Sequence, residues 1–261
     1  MIEKFFNGAK FFSDDAALID LGGTATASSA VTDAADAFNG DRAFGWNSSG
    51  ENSDSTTSYL HRDFGTALCG DTIIVANHNL KSFVVKINGA ALVNYTIETR
   101  RNFSVVTFPY REDIQTIRIE AAKTMPANED KHIGEVMLLT TLGQFEDPQK
   151  LTNSYVPEQG DLKLQNGKHF IFNCGEAWTF TIDVFALSQG DIDLLQKLRD
   201  LGTPFFIWPC GGKETQFTYH FRPYLFNDFF KVSFSGNGKP NLKDNLYWTG
   251  LRDSVKLVEV E

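Results

Sequence analysis

AWTFTIDVFALSQGDIDLLQKLRDLGTPFFIWP, residues 177–209, reads as a strand, a capped helix and a second strand in direct succession. Trp178, Phe180, Ile182 and Val184 alternate with Thr179, Thr181 and Asp183, the period of two that a half-buried strand requires. Ser188 stands three residues before Asp191, so side-chain oxygens can satisfy the open amides of a helix start. Ile192, Leu195 and Leu198 then recur at helical spacing, and Gly202 and Pro204 end the run, which predicts a helix over about 189–201. Phe205 to Trp208 follows as a short apolar strand against which the helix is expected to bury, with Phe180 and Trp208 as its partners. No side chain in this unit is placed for chemistry, and the pattern points to packing and assembly.

The rest of the chain agrees with a sheet-rich protein. Of 261 residues 42% are hydrophobic and 23 are phenylalanine, against 3 methionines, and aromatic residues suit pleated surfaces. Basic residues number 24 and acidic ones 33, a formal charge of −9. Up to Leu142 there are 12 basic against 18 acidic residues, and beyond it 12 against 15, so neither half offers the basic stripe that phosphates require. Nucleic acid is therefore not an expected partner, and neither is membrane insertion, since no apolar run approaches the roughly 20 residues of a span. Cys69, Cys174 and Cys210 form no CxxC pair. With no signal-peptide pattern at Met1–Gly8, the expectation is a protein made in a reducing cytoplasm.

Residues 24–57 are small, polar and turn-rich, after a short apolar stretch at Ala16–Leu21. Strands are expected at Thr72–Ala76, Ser82–Asn88, Tyr95–Thr99, Phe103–Phe108, Ile114–Glu120 and Ile133–Thr140, with Asn88-Gly89 as a hairpin turn. Such closely spaced strands read as a sandwich or barrel. Gly143–Gly160, with Pro148 and Pro157, loses the pattern and reads as a linker. Beyond it strands are expected near His169–Phe172, Ala177–Phe185, Phe205–Trp208, Gln216–Arg222, Phe230–Phe234 and Ser254–Val260.

Catalytic signatures fail one by one. Gly211-Gly212-Lys213 resembles the end of a phosphate loop, but Glu214 follows where Ser or Thr is needed, and Ile207 replaces the first glycine. His61, His78, His132, His169 and His220 lack the spacing that places two imidazoles on one helix face. The adjacent acids Asp14-Asp15, Glu112-Asp113 and Glu129-Asp130 read as solvated charge rather than a catalytic pair. No Gly-x-Ser-x-Gly elbow is present. The chain is thus expected not to be an enzyme.

Two resemblances give these observations a direction. Ala37-Phe38-Asn39-Gly40-Asp41-Arg42-Ala43-Phe44-Gly45-Trp46 resembles the opening turn of discoidin domains, the coagulation-factor type C family. Asp63-Phe64-Gly65 and Ile133-Gly134-Glu135-Val136-Met137-Leu138 resemble later landmarks of that family, and together they cover residues 20–142. The resemblance implies a galactose-binding-like β-sandwich, a jelly roll whose end loops bind glycans, lipids or proteins. In many relatives the first turn and the closing strand hold calcium, which would fall here to Asn39, Asp41 and Glu135. Asn39 and Phe44 depart from the family's aspartate and threonine, so the alternative is a structural turn without metal, and no cofactor is required. Trp46 reads as core or as a sugar platform. Aromatic rings stack on sugar faces, which makes Tyr59, His61 and Tyr95 the candidate ligand residues if they lie at loop tips. The segment 165–261, through its strand, leucine-serine turn, helix and Pro-Phe-Phe-Ile-Trp-Pro, resembles minor and distal tail proteins of long-tailed phages.

The expected architecture is mainly β: a sandwich over 1–142, a linker over 143–160, and a small β domain with one packed helix over 161–261. The expected function is that of a structural component of a phage-type tail, assembled in the host cytoplasm into the virion. Its partners would be other tail or baseplate subunits, copies of itself as a trimer or hexamer, and a host glycan. The alternative is a carbohydrate-binding module with an accessory domain, acting at a cell surface.

Overall fold

Among the described residues, alternating side chains and turn residues make this chain fold mainly as antiparallel strands with one α-helix, the class its sequence predicts. The computed structural model describes residues 5–6, 9–13, 23–40, 44–100, 102–145, 149–163, 169–186, 188–208, 230–234 and 251–259. It divides into two compact units, one of Asp14–Thr141 and one of Met1–Ser13 with Leu142–Glu261. The division differs from the expected one at both ends. The first 13 residues belong with the C-terminal half, and the sandwich is an insertion within the other unit. Sequence gave no sign of this, because β1 (Phe5–Phe6) and β2 (Lys10–Ser13) are too short to show a period.

The inserted unit is built from β3 (Thr24–Ala27), β4 (Trp46–Asn47), β5 (Ser58–His78), β6 (Leu80–Ile87), β7 (Ala90–Ala91), β8 (Thr96–Arg100), β9 (Phe103–Thr124) and the first part of β10 (His132–Gln144). β5 and β9 are long and pass through two sheets. In the first, β5 residues 58–63 pair with β3 and with β9 residues 116–121, and β6 pairs with β9 beyond them. In the second, β5 residues 72–78 pair with β10 and with β9 residues 104–107, and β4 and β8 complete the edges. Register shifts between Asp63 and Thr72 mark where the strands change sheet, since bulges bend and twist a strand. This is why the separately expected strands 103–108 and 114–120 are one element.

Between the sheets lies one core. Leu60, Val85, Ile87, Ile117 and Ile119 face Ile73, Val75, Val106, Val136 and Leu138, with Trp46 fully buried among them. Trp46 is core, and its Nε1 donates to the Ser29 carbonyl at 2.9 Å. At the β6–β7 turn Asn88 and Gly89 both have positive φ, 52° and 78°, the hairpin geometry that the Asn-Gly pair predicts. Asn88 Oδ1 also accepts the amides of Gln115 at 2.8 Å and Thr116 at 3.1 Å, which pins the hairpin to its neighbour. The stretch at 24–57 holds β3, β4 and two 3₁₀ turns, Val31–Asp33 and Asp36–Phe38, whose small residues gave little periodic signal.

The second unit contains β11 (Gln149–Lys163), β12 (His169–Ala186), α1 (Gln189–Leu201), β13 (Phe205–Trp208), β14 (Phe230–Phe234) and β15 (Leu251–Glu259). The expected linker is largely β11, paired along its length with β12; Pro157 lies opposite Glu176. β13 pairs with β2 and β14, and β15 joins β14 to β12. Ser188 caps α1 by accepting the Asp191 amide at 3.1 Å, and Gly202 closes it at φ 70°.

Leu194, Leu195 and Leu198 of α1 bury against Phe11, Phe145, Phe205, Ile207 and Val232. The parity of β13 therefore turns Phe205 and Ile207, not Trp208, towards the helix. Trp208 is fully buried outside that cluster, with Lys10 Nζ 5.4 Å from its ring. The Phe180 side chain, the expected strand 216–222 and the stretch 16–21 lie outside the described residues. Much of the phenylalanine surplus is used in packing: Phe11 meets Phe145 edge-on at 5.2 Å and Phe205 at 6.0 Å. Among the described residues no helix is long and apolar enough to cross a membrane.

Candidate functional site

Alternation in the first sheet of the inserted unit sends one set of side chains into the core and leaves the other on an outer face. Leu60 of β5, Ile117 and Ile119 of β9, and Val85 and Ile87 of β6 point inward. Tyr59, His61, Arg118, Glu120, Val84 and Lys86 are their outward neighbours. Register sets Tyr59 opposite Glu120, and His61 opposite Arg118, while β6 brings Val84 beside Glu120 and Lys86 beside Arg118.

The outer face is a charged aromatic cluster. The Arg118 guanidinium carbon lies 3.8 Å from the Tyr59 ring centroid, a close cation–π stack. Glu120 Oε1 receives Lys86 Nζ at 2.8 Å and stands 3.1 Å from Arg118 Nε. Arg118 keeps 38% of its side chain exposed. Burial, and then the positive charge of Arg118, push His61 below its ordinary value against the opposing pull of Asp63, so its imidazole is neutral at pH 7. Planar ring, guanidinium fork, carboxylate and neutral imidazole together offer apolar contact, donors and acceptors within one small area.

A hydrogen-bonded loop supports this face from one end. The Tyr59 amide donates to Ser28 Oγ at 3.0 Å, and the Ser28 amide donates to the Tyr59 carbonyl at 3.0 Å. Ser28 Oγ in turn donates to Glu51 Oε2 at 2.7 Å, and Ser29 Oγ to the same oxygen at 3.3 Å. The Ser58 hydroxyl, then those of Ser28 and Ser29 and the ammonium of Lys131, hold the Glu51 carboxyl below its usual value, although burial opposes them.

The expected ligand residues divide between two places. Tyr59 and His61 come together, but on strand β5 rather than at a loop tip. Tyr95, 37% exposed, lies in the loop just before β8, an edge strand of the second sheet. Of the expected calcium set, Asn39 ends the second 3₁₀ turn and is exposed, and Glu135 is buried on β10 opposite Ala76. Asp41 lies outside the described residues. Among the described residues no three His, Cys, Asp or Glu side chains gather as a metal group would. Sequence reasoning missed Arg118, Glu120 and Lys86. Their alternation with Ile117, Ile119, Val85 and Ile87 was visible, but not the register that sets them beside Tyr59.

No known protein family matches the chain, and no curated protein does. Among solved structures it is similar to chitosan-binding module 1 of a chitosanase/glucanase from Paenibacillus sp. IK-5, at 17% identity and a TM-score of 0.37, over 46% of this chain and 96% of that one. Module 2 of the same enzyme, solved in complex with chitotriose, is similar at 13% identity and a TM-score of 0.36, over 47% and 98%. SpGH29 is similar at 16% identity and a TM-score of 0.37, over 47% of this chain and 28% of that one.

Proposed function

We propose that this chain is a non-enzymatic glycan-binding protein, in which the inserted sandwich binds saccharide on the outer face around Tyr59. The observation that carries the reading is the Arg118–Tyr59 stack, flanked by Glu120, Lys86 and a neutral His61. Saccharides are recognised by stacking on flat apolar groups and by convergent hydrogen bonds to hydroxyls, and this face supplies both. Calorimetric titration of the full chain against neutral, amino and acidic trisaccharides tests it. Binding to at least one class, lost in Tyr59→Ala and Arg118→Gln, is the expected result; silence across the panel overturns it.

The finer reading is a distal or minor tail protein of a phage-type tail, with the other unit as its assembling part. It is favoured by the hairpin of β11 and β12. Residues 157–163 pair with residues 169–176, while β15 joins β12 only from Thr179 onward. Among the described residues this outer part has no third strand. A two-stranded ribbon is marginal in water and its open edges template further pairing, which suits completion by another subunit. Light scattering over a concentration series should give a discrete trimer or hexamer, and removing 157–175 should return a monomer. An unchanged mass after that deletion counts against the arm as the assembly element.

A further inference from the structure

We propose that Lys131 is a positioning residue for the outer face, its ammonium acting as a built-in cation that orders the loop beneath Tyr59; the functional consequence rests on the saccharide-binding reading. Lys131 is fully buried, a rare state for lysine unless its charge is matched. Its Nζ donates to the carbonyls of Glu51 at 2.5 Å and Ser53 at 2.8 Å. Its amide donates to Ser48 Oγ at 2.7 Å, and the Ser48 amide returns a bond to the Lys131 carbonyl at 2.8 Å. Carbonyls two residues apart that converge on one positive centre are how loops wrap a hard metal ion, and here an ammonium takes that place.

The cation is connected to the ligand face by an unbroken series of bonds. Lys131 fixes the Glu51 backbone; the Glu51 carboxylate accepts from Ser28 Oγ; Ser28 Oγ accepts the Tyr59 amide. On its other side the loop is held by Asp54, whose Oδ1 accepts the amides of Thr124 and Asn128 at 3.2 and 3.3 Å. Hydrogen bonds to Thr124 first, then to Asn128, and the Lys131 charge last among the favourable causes, keep the Asp54 carboxyl low against burial. The loop is thereby tied at both ends by the chain's own groups.

The test is amide exchange on the full chain carrying Lys131→Met, read residue by residue beside the saccharide titration. Exchange at Ser28 and Tyr59 should rise by roughly tenfold, the equivalent of one lost charge-assisted bond. Amides of Ile73 and Val106 in the second sheet should not change, and the affinity for saccharide should fall. A folded variant whose Ser28 and Tyr59 amides stay protected, or whose amides all rise together, overturns the proposal. Should Lys131→Met not fold, Glu51→Ala tests the relay, because it removes the carboxylate between Lys131 and Ser28 while leaving in place both Lys131 Nζ bonds to backbone carbonyls and the Ser28 Oγ acceptor of the Tyr59 amide; exchange must then rise at Tyr59, and an unchanged Tyr59 amide refutes the linkage. If exchange responds while the parent binds no saccharide, the positioning role stands and the saccharide reading falls.

Discussion

Arg118 stacks on Tyr59 at 3.8 Å from guanidinium carbon to ring centroid, although 58 residues separate them along the chain. The antiparallel register of β5 and β9 makes them diagonal neighbours on one face. The stack holds a flexible guanidinium over a rigid ring, which lowers the conformational entropy left for the proposed ligand contact to remove.

Stability and binding should separate at this face. Arg118→Gln removes an exposed stack and a surface ion pair, together worth on the order of 1 kcal/mol. Its denaturation midpoint should barely move while saccharide affinity falls by about tenfold or more. A parallel loss of both would assign the stack to structure alone.

Lys131→Met should lower stability together with affinity. Two part-buried carbonyls lose their charged donor, so the inserted unit should lose about 2 kcal/mol in urea denaturation. In the parent protein a chelator should leave the melting temperature unchanged, since the ammonium already occupies the loop. A chelator-induced drop of several degrees would point to a metal elsewhere in the unit.

His78 makes the sandwich sensitive to acid. The Leu80 amide donates to Nδ1 at 3.0 Å, so Nε2 carries the hydrogen and donates to Ser104 Oγ at 2.9 Å. Burial first, and then repulsion from His132, lower its pKa to about 4 from an ordinary 6.5. The unfolded chain therefore takes up a proton at a higher pH than the folded one. The contribution to stability is fully present above pH 6.5 and is lost as pH falls towards 4, amounting to about 3 kcal/mol. Urea midpoints from pH 7 to 4 should show the decline, and His78→Gln should flatten it.

Gly45→Ala should damage the start of β4. Gly45 has φ 135°, and a Cβ there would stand 2.4 Å from the Ile133 carbonyl oxygen. Left-handed strain and a backbone clash act together, so a loss of about 3 kcal/mol or more is expected, read as a lowered melting temperature. A neutral effect would mean that β4 and β10 separate readily.

Ser188→Ala isolates the cap of α1. The lost bond to the Asp191 amide should cost about 1 kcal/mol in the second unit and leave the melting of the inserted one unchanged. A change in the inserted unit would show the two to be thermodynamically coupled.

The parts legible in sequence were those fixed by near neighbours. Ser188, Gly202 and the leucines between them gave α1, and Asn88-Gly89 gave the β6–β7 turn, because caps and turns are decided within a few residues. Alternation located β14 and regular strand spacing most of the sandwich, an apolar run between prolines located β13, and Tyr59 and His61 entered as rings able to stack on a sugar. Pro157 hid β11, since a residue without an amide hydrogen reads as a break although it stands within the strand.

By itself, the sequence determined the mainly β class, the helix with its cap, and the apolar faces that fill both cores, because each depends on periodicity and local hydrogen bonding. Tertiary structure alone decided that residues 1–13 join the C-terminal unit, that Phe205 rather than Trp208 meets the helix, and that Arg118 lies over Tyr59. Those facts depend on which strands pair and in what register. Pairing is selected by the burial of whole faces at once, a long-range sum that no local stretch of the chain contains.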